Sequence, residues 1–178
     1  MKKKVREDWD TYFLNLATVV SCRSTCDRLH VGAVIVNDHR ILATGYNGSL
    51  QGAPHCDDVG HLTVNNHCKR TIHAEVNAIT QAARYGIAID GASIYQTHTP
   101  CLDCFKVIAA SGIRRIYFKE VYRLTEKDLE TYRLVGGYAD VKTGGYRGYP
   151  SPRAAMIPEK IERYYIWQIN LKTNCWYR

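Results

Sequence analysis

The sequence predicts an α/β domain in which a mixed sheet of about five strands is covered by helices. Apolar residues recur at helical spacing in several segments, and β-rich apolar runs stand between those segments. The chain has 178 residues, which is one domain's worth, and its 46% hydrophobic and 23% charged residues are typical of a globular protein. The predicted order of elements is α-β-β-α-β-α-β-α-β.

The first part of the chain predicts a helix, a hairpin and a long loop. Residues 8–21 place Trp9, Leu16 and other apolar side chains at helical spacing. Two β-rich runs, 31–36 and 40–46, are separated by a short polar turn and predict an antiparallel hairpin. Residues 47–70 show no periodicity and contain three glycines and a proline, so we expect a loop that needs something to hold it.

Helices and strands alternate in the rest of the chain. Helices are predicted over 71–83, 101–110 and 125–134, with Gly86 and Gly112 placed to end the first two. Strands are predicted over 92–97, 113–118 and 138–141. A turn-rich segment, 144–152, then precedes a final predicted helix over 157–169. We therefore expect one domain over 1–141 and a C-terminal extension over 142–178.

The formal net charge of +7 is concentrated at the two ends of the chain. Residues 1–6 carry four positive charges and residues 142–178 a net +5, which leaves −2 for residues 7–141. A nearly neutral body argues against a nucleic-acid groove but is compatible with a small substrate that bears a phosphate. We expect the basic, tyrosine-rich extension to pack on the domain or on a neighbouring subunit.

Composition also bears on the compartment. No apolar run approaches the roughly 20 residues that a membrane-spanning helix needs. The basic residues 1–6 are followed by acidic residues instead of an apolar stretch, so they do not resemble a signal peptide. Seven cysteines, clustered with histidines, favour metal ligation in a reducing compartment over a disulfide framework. We therefore expect a cytoplasmic protein.

Two distant segments together predict a catalytic zinc site. One reads His73-x-Glu75, and the other reads Pro100-Cys101-x-x-Cys104. Cys101 and Cys104 fall in the first turn of one predicted helix, where the helix dipole favours thiolates, and His73 stands at the start of another. Three protein ligands leave a fourth position for water, whose pKa a bound zinc lowers to about 7.

Glu75 is too close to His73 along the chain to be a comfortable second ligand. It is placed to take a proton from the attacking water and to deliver it to a ring nitrogen and a leaving amine. A lone C-x-x-C is more often a structural zinc or redox pair, but the conjunction of both segments is the signature of zinc-dependent nucleobase deaminases.

The chain resembles the cytidine/deoxycytidylate deaminase superfamily, and within it the deoxycytidylate (dCMP) deaminases, over roughly residues 9–135. Besides the two zinc segments, the resemblance rests on 23–26, 31–36, 45–49, 55–58 and 67–68. It implies a cytidine-deaminase-like three-layer α/β/α domain and hydrolytic deamination of dCMP to dUMP for thymidylate synthesis. It also implies a homo-oligomer, a hexamer, that dCTP activates and dTTP inhibits, with Mg²⁺.

The resemblance assigns several further residues to nucleotides. The motif Gly45-Tyr46-Asn47-Gly48 is expected at or near the allosteric nucleotide, and Asn47 is also a candidate to hold the substrate sugar. Leu50 stands where many members have proline, which bears on the strength of the allosteric response.

Other assignments come with a structural alternative. Arg23, Ser24 and Thr25 offer a cation and hydroxyls that suit a 5′-phosphate, or they form a solvated helix end. Arg84 contacts a phosphate at a subunit boundary, or it complements its own helix C-terminus. Tyr122 lies near the base, or it packs in the core.

A second, structural zinc is also implied, with Cys26, Cys56, His67 and Cys68 as its ligands. Four ligands would close the site and would stabilise a loop with little apolar content. Because adjacent residues rarely bind one ion, His61 or Cys22 is the alternative to one of them. The alternative to a second zinc is that these cysteines are buried free thiols.

Two other functions compete with deamination of a free nucleotide. A polynucleotide-editing deaminase, acting on tRNA or single-stranded DNA, would use the basic extension and would bind oligonucleotides in a salt-sensitive way. A non-catalytic zinc module that binds nucleic acid would give Glu75 no role. The small nucleotide remains the predicted partner, without membrane or nucleic acid.

Overall fold

The computed structural model describes residues 6–122, 125, 127–128, 131–132, 139–143 and 165–169. The elements follow one another in the order α1 (Trp9–Ser21), β1 (Gly32–Asn37), β2 (Arg40–Tyr46), β3 (Gly48–Ser49), α2 (Cys56–Val59), β4 (Thr63–Val64), β5 (His67–Cys68), β6 (Thr71–Ile72), α3 (Ala74–Arg84), β7 (Ser93–His98), α4 (Leu102–Ala110), β8 (Arg115–Glu120), β9 (Ala139–Thr143) and β10 (Tyr165–Ile169). Within these ranges, no helix is both long and apolar enough to cross a membrane.

The main sheet is mixed and has the strand order β2-β1-β7-β8-β10-β9. Strands β7 and β8 are parallel, joined by α4 as a crossover, and the other neighbouring pairs are antiparallel. The predicted hairpin is confirmed as β1 and β2. The sheet has six strands instead of about five because β10 was not expected.

The prediction of a final helix over 157–169 is wrong for its last five residues. Tyr165–Ile169 is a strand that pairs with β8 on one side and with β9 on the other. Its sequence, Tyr-Ile-Trp-Gln-Ile, consists mainly of aromatic and β-branched residues that favour strands, and pairing to two neighbours adds the backbone hydrogen bonds. Residues 157–164 lie outside the described residues.

Helices cover both faces of the sheet, and β1 shows how the sequence arranges this. Val34 and Val36 point to the face where they pack with α1, whereas Ala33 and Ile35 point to the opposite face and pack with α3 and α4. Alternate residues of a strand point to opposite faces, so the buried run of β1 supplies both cores. The three-layer α/β/α fold is confirmed.

The predicted loop over 47–70 contains short ordered pieces. β3 pairs with β6, and β4 pairs with β5 around Asn65 and Asn66, which both have positive φ. The predicted helix over 71–83 is wrong at its start, because Thr71–Ile72 is a strand and α3 begins at Ala74. Gly86 and Gly112 follow the ends of α3 and α4 with positive φ, as expected of residues that stop a helix.

The third predicted helix, over 125–134, is only partly within the described residues. Residues 127–128 and 131–132 are helical. The backbone N–H and hydroxyl of Thr125 both donate to the Asp128 carboxylate, and the Asp128 N–H donates back to the Thr125 hydroxyl. This reciprocal pair is a capping arrangement for the start of that helix.

Candidate active site

The structure brings His73, Cys101 and Cys104 together at the starts of two helices. His73 Nδ1 lies 3.2 Å from Cys104 Sγ and 3.6 Å from Cys101 Sγ. The three ligand atoms all lie within 4.8 Å of one another. A nitrogen and a sulfur that bind one tetrahedral zinc are about 3.5 Å apart, so the donor set and its spacing fit a zinc ion.

Local structure explains why these side chains are available to a metal. His73 is the N-cap residue of α3 and Cys101 that of α4, and neither side chain makes a capping hydrogen bond. Both side chains therefore point away from their own helix backbones. The parallel pairing of β7 with β8, and the Thr99 N–H that donates to Glu120 O, hold the segment before Cys101 at the sheet edge.

The electrostatics of the trio follow from its close contacts. A hydrogen bond with Cys104 is the main cause that lowers the pKa of Cys101 to about 4. The same contact, together with burial, raises the pKa of Cys104, and a hydrogen bond with Cys101 raises the pKa of His73. Cys101 is therefore held as a thiolate, the form in which cysteine binds zinc.

Glu75 lies in the first turn of α3, and the residue is 4% exposed. Burial raises the pKa of this carboxyl to about 7. A group with a pKa near neutrality can both accept and return a proton, which is the property of a general acid and base. Glu75 lines the same cavity as His73 and Cys101, as the predicted catalytic role requires.

This cavity has a volume of about 140 Å³. Of the predicted substrate residues, Asn47 and Tyr122 line it, whereas Arg23, Ser24 and Thr25 do not. The Ser24 hydroxyl donates to Asn47 O, and the Thr25 hydroxyl accepts from the Ser49 N–H, so both hydroxyls serve the loop fold. Arg23 is exposed at the end of α1. The sequence-based prediction of these three as a phosphate site therefore has no support in the cavity lining.

Two lining residues with ionisable side chains were not singled out from the sequence. Arg28 lies at the cavity and donates to the backbone and side-chain oxygens of Asn66. His98 is the last residue of β7 and contacts Glu120. In the sequence, Arg28 stands two residues after Cys26 and His98 three residues before Cys101, but neither lies in a motif that would have identified it as a cavity residue.

The side chain of Asn47 is already engaged with the protein. Its Oδ1 accepts from the Val31 N–H at 2.8 Å, and its Nδ2 donates to Leu29 O at 2.7 Å. It is buried and ties the segment before β1 to the end of β2. Each end of the amide has capacity for one more hydrogen bond, so a role toward a sugar hydroxyl remains chemically open.

The neighbouring residues of the same motif also have structural roles. A Cβ at Gly45 would collide with Ala74 O and Ala78 N, so only glycine lets α3 lie this close to β2. Tyr46 O accepts from the side chain of Asn77 on α3. Gly48 faces the Thr25 hydroxyl. An allosteric nucleotide at this motif stays a prediction.

Arg84 ends α3 and is exposed. Its guanidinium donates to Gln51 Oε1 at 3.0 Å and lies 6.0 Å from the ring of Tyr85. A cation in the last turn complements the helix dipole, in agreement with the structural reading of this residue. A phosphate contact at a subunit boundary stays a prediction.

A second cluster contains Cys26, Cys56, His61 and Cys68, whose ligand atoms lie within 4.8 Å of one another. Cys26 Sγ is 3.7 Å from His61 Nδ1, and Cys56 Sγ is 3.5 Å from Cys68 Sγ. These spacings fit one tetrahedral zinc with three sulfurs and one nitrogen, because sulfur pairs on such an ion are about 3.8 Å apart.

The prediction of His67 as the fourth ligand is wrong, and His61, the alternative, takes that place. His67 and Cys68 are adjacent in β5 and therefore point to opposite sides of the strand. His61 Nε2 lies 2.9 Å from Asp27 Oδ1 while its Nδ1 faces the thiols. A carboxylate on the outer nitrogen is the usual arrangement for a histidine that binds a metal.

Comparison with known proteins identifies the family. Residues 7–120 match the model described as "Cytidine and deoxycytidylate deaminase zinc-binding region". The ComE operon protein 2 of Bacillus subtilis (strain 168) is 47% identical over 131 residues, which cover 74% of this chain and 69% of the relative. The deoxycytidylate deaminase of Mycobacterium phage D29 is 40% identical over 124 residues, which cover 64% and 95%.

A solved structure agrees with the sequence match. The crystal structure of the dCMP deaminase from the cyanophage S-TIM5, in complex with dCMP and dUMP, superposes with a TM-score of 0.62 at 30% identity. The superposition covers 75% of this chain and 96% of that chain. A family match that begins before the first helix and runs to the end of β8 shows that the chain belongs to the cytidine and deoxycytidylate deaminase family of zinc enzymes.

Proposed function

We propose that the chain hydrolyses dCMP to dUMP and ammonia, and so supplies dUMP for thymidylate synthesis. The observation that carries this proposal is the placement of buried Glu75 in one cavity with His73 and Cys101 of the zinc-ligand trio. The names of the relatives support dCMP as the substrate, since the phage D29 relative and the S-TIM5 structure are both dCMP deaminases.

The chain's own residues account for the proton transfers of this reaction. A zinc ion held by His73, Cys101 and Cys104 would supply Lewis acidity that makes water nucleophilic at neutral pH. Glu75 accepts the proton that the water loses as it adds to C4 of the cytosine ring. The same carboxyl passes this proton to N3, then takes the second proton from the oxygen that has added to C4 and passes it to the departing amino group. The C4–N4 bond breaks, and the products are dUMP and ammonia.

The nucleotide is held by residues of the cavity wall. Asn47 has one unused donor and one unused acceptor for a sugar hydroxyl, and Tyr122 offers an aromatic ring near the base. Among the residues that the structure describes, Arg28 is the arginine in the cavity lining and therefore the candidate to meet the phosphate. Arg23, Ser24 and Thr25 do not line the cavity, and a phosphate contact by these residues stays a prediction.

The second cluster is proposed as a structural zinc site with Cys26, Cys56, His61 and Cys68 as ligands. Four protein ligands leave no position for substrate, which distinguishes this site from the catalytic one. Metal binding there would stabilise residues 56–68, which contain three short elements and expose Val59, Leu62 and Val64.

The proposed regulation and assembly follow the family resemblance. The enzyme would be a cytoplasmic homo-oligomer, a hexamer, activated by dCTP and inhibited by dTTP with Mg²⁺ at the Gly45–Gly48 motif. Residues 1–141 would form the catalytic unit, with 142–178 packed on it or on a neighbouring subunit. The pairing of β10 with β8 supports packing of the extension on the domain itself.

The test is an ammonia-release assay with the zinc-loaded protein. The substrates are dCMP, dCTP, cytidine, deoxyguanosine and a tRNA stem-loop, each with and without dCTP or dTTP as effector. We expect turnover of dCMP, and we expect Glu75→Ala to keep its zinc but to lose about 10²-fold to 10⁴-fold in rate. Turnover of the stem-loop alone would replace the proposal with an editing function, and full activity in Glu75→Ala would refute the mechanism.

A further inference from the structure

His98 is fixed at the edge of the cavity by hydrogen bonds to both of its ring nitrogens. Nδ1 lies 2.9 Å from the hydroxyl oxygen of Thr97, and Nε2 lies 3.3 Å from a carboxylate oxygen of Glu120. The Thr97 oxygen also accepts the Gly32 N–H at 3.3 Å. The His98 side chain is 13% exposed, so the ring is held inside the wall and not on the outer surface.

These contacts determine which nitrogen carries the proton. The Glu120 carboxylate only accepts hydrogen bonds, so Nε2–H of His98 donates to it. In a neutral ring Nδ1 is then an acceptor, and the Thr97 hydroxyl donates to it. Burial lowers the pKa of His98, which agrees with a neutral ring. Neither nitrogen is therefore left to bond a ligand.

The ring faces and carbon edge of His98 remain for contact with a ligand. Tyr122 stands perpendicular to this ring, with the centroids 6.2 Å apart and an interplanar angle of 89°. Thr99 fixes Tyr122 in turn, because its hydroxyl donates to Tyr122 O and accepts from the Tyr122 N–H. Both rings line the cavity that contains Glu75 and Cys101.

We propose that His98 is a specificity residue that contacts the pyrimidine base through its ring and not through its nitrogens, with Thr97 and Glu120 as positioning residues. A flat ring clamped at two atoms offers a stacking surface with little conformational freedom left to lose. A planar ring fits beside such a surface, whereas a bulky or non-planar group does not. The inference rests on the proposed deamination of dCMP and deepens it.

The test compares two histidines with different surroundings. His98→Asn removes the ring, and His39→Asn is the matched control, because His39 lies in the exposed turn between β1 and β2 and stacks on Trp9. His98→Phe keeps a flat ring without either hydrogen bond. Glu120→Ala releases one of the two fixed nitrogens.

We expect His98→Asn to raise KM for dCMP and the dissociation constant for dUMP about tenfold, the size of a lost base-stacking contact. The kcat should stay within about threefold of wild type, because His98 takes no part in proton transfer. His98→Phe should recover most of the dUMP affinity, and Glu120→Ala should raise KM by less than His98→Asn. The control should match wild type in KM and kcat.

A direct readout of contact uses dUMP as a ligand that does not turn over. The Cε1–H signal of His98, assigned by its loss in His98→Phe, should shift upfield on addition of dUMP, while the His39 signal stays in place. An unmoved His98 signal, or wild-type KM in His98→Asn, would overturn the inference even though the wild type deaminates dCMP. Wild-type protein that neither releases ammonia from dCMP nor binds dUMP would overturn the proposed function, and this inference with it.

Discussion

Replacement of Gly45 by alanine should damage the active site without touching any of its side chains. A Cβ at this position would lie 3.0 Å from the Cα of Ala78 and closer still to Ala74 O and Ala78 N. Carbon atoms in contact are normally about 3.5 to 4.0 Å apart, so α3 would have to move away from β2 by the order of 1 Å. All three obstructing atoms are backbone atoms, so no side-chain rotation relieves the collision.

The displacement of α3 would move residues of the candidate active site. Ala74 stands between His73 and Glu75, so a shift of α3 moves a zinc ligand and the proton carrier together. A misplacement of about 1 Å can cost about 10²-fold in rate, and overpacking costs about 1 to 3 kcal/mol in the free energy of unfolding. We therefore expect Gly45→Ala to lower kcat/KM for dCMP by about 10²-fold and to lower the urea midpoint.

A matched glycine separates this effect from general destabilisation. Gly86→Ala lies at the other end of the same helix, at φ +65°, with nothing within 4 Å of the added Cβ. It should cost about 1 to 2 kcal/mol through its backbone conformation and leave kcat/KM unchanged. Zinc content, measured on both variants, identifies any loss that comes from the metal. Equal kcat/KM in Gly45→Ala and wild type would refute the steric reasoning.

Three further predictions concern the second cluster and the fold. His61→Ala should lower the zinc content of the purified protein from two ions per chain to one, whereas His67→Ala, in the same loop, should leave the zinc content unchanged. Elemental analysis measures the zinc content of both variants. An equal loss in the two variants would contradict the ligand set. Asp8 caps α1, and although burial opposes its ionisation, hydrogen bonds from the Thr11 N–H and hydroxyl lower its pKa. Asp8→Ala should therefore lose about 1 kcal/mol at pH 7. The stabilisation by the ionised Asp8 carboxylate is present above its unfolded pKa near 4 and is lost as the pH falls through the lower folded pKa. Urea unfolding at pH 7 and pH 3 should therefore show that the difference in the free energy of unfolding between wild type and Asp8→Ala becomes smaller at pH 3. A difference that stays constant would contradict the assignment. Tyr132→Phe removes a buried 2.6 Å hydrogen bond to Pro100 O and should cost about 1 to 3 kcal/mol in thermal unfolding, with an unchanged melting curve as the contrary result.

The parts of the fold that the sequence predicted are those with local signals. Two β-rich apolar runs separated by a polar turn are enough to place the hairpin of β1 and β2, and the H-x-E and P-C-x-x-C segments are enough to name the trio around His73. Both signals lie within a few residues, where backbone geometry alone determines what side chains can meet. The zinc-ligand geometry needed one additional assumption, that both helix starts lie at the same sheet edge.

The predictions that were wrong or missing concern features that depend on contacts between residues far apart in the sequence. The composition of β10 favours a strand, but only its pairing with β8 and β9 decides against the predicted helix. The choice of His61 over His67 depends on which side of a two-residue strand faces the thiols, and this is visible only after β4 and β5 are paired. Arg28 and His98 line the cavity through folding of separate segments, so spacing along the chain could not identify them.

Cys26 and Cys68 belong to the four-residue cluster and also form part of the cavity wall. The proposed structural zinc site, which would stabilise residues 56–68, is therefore continuous with the surface that a nucleotide would contact. A preparation that lacks metal in this cluster would present substrate with a different wall, even with the catalytic trio fully loaded. The substrate affinity measured on such a preparation would depend on how much metal this cluster kept during purification.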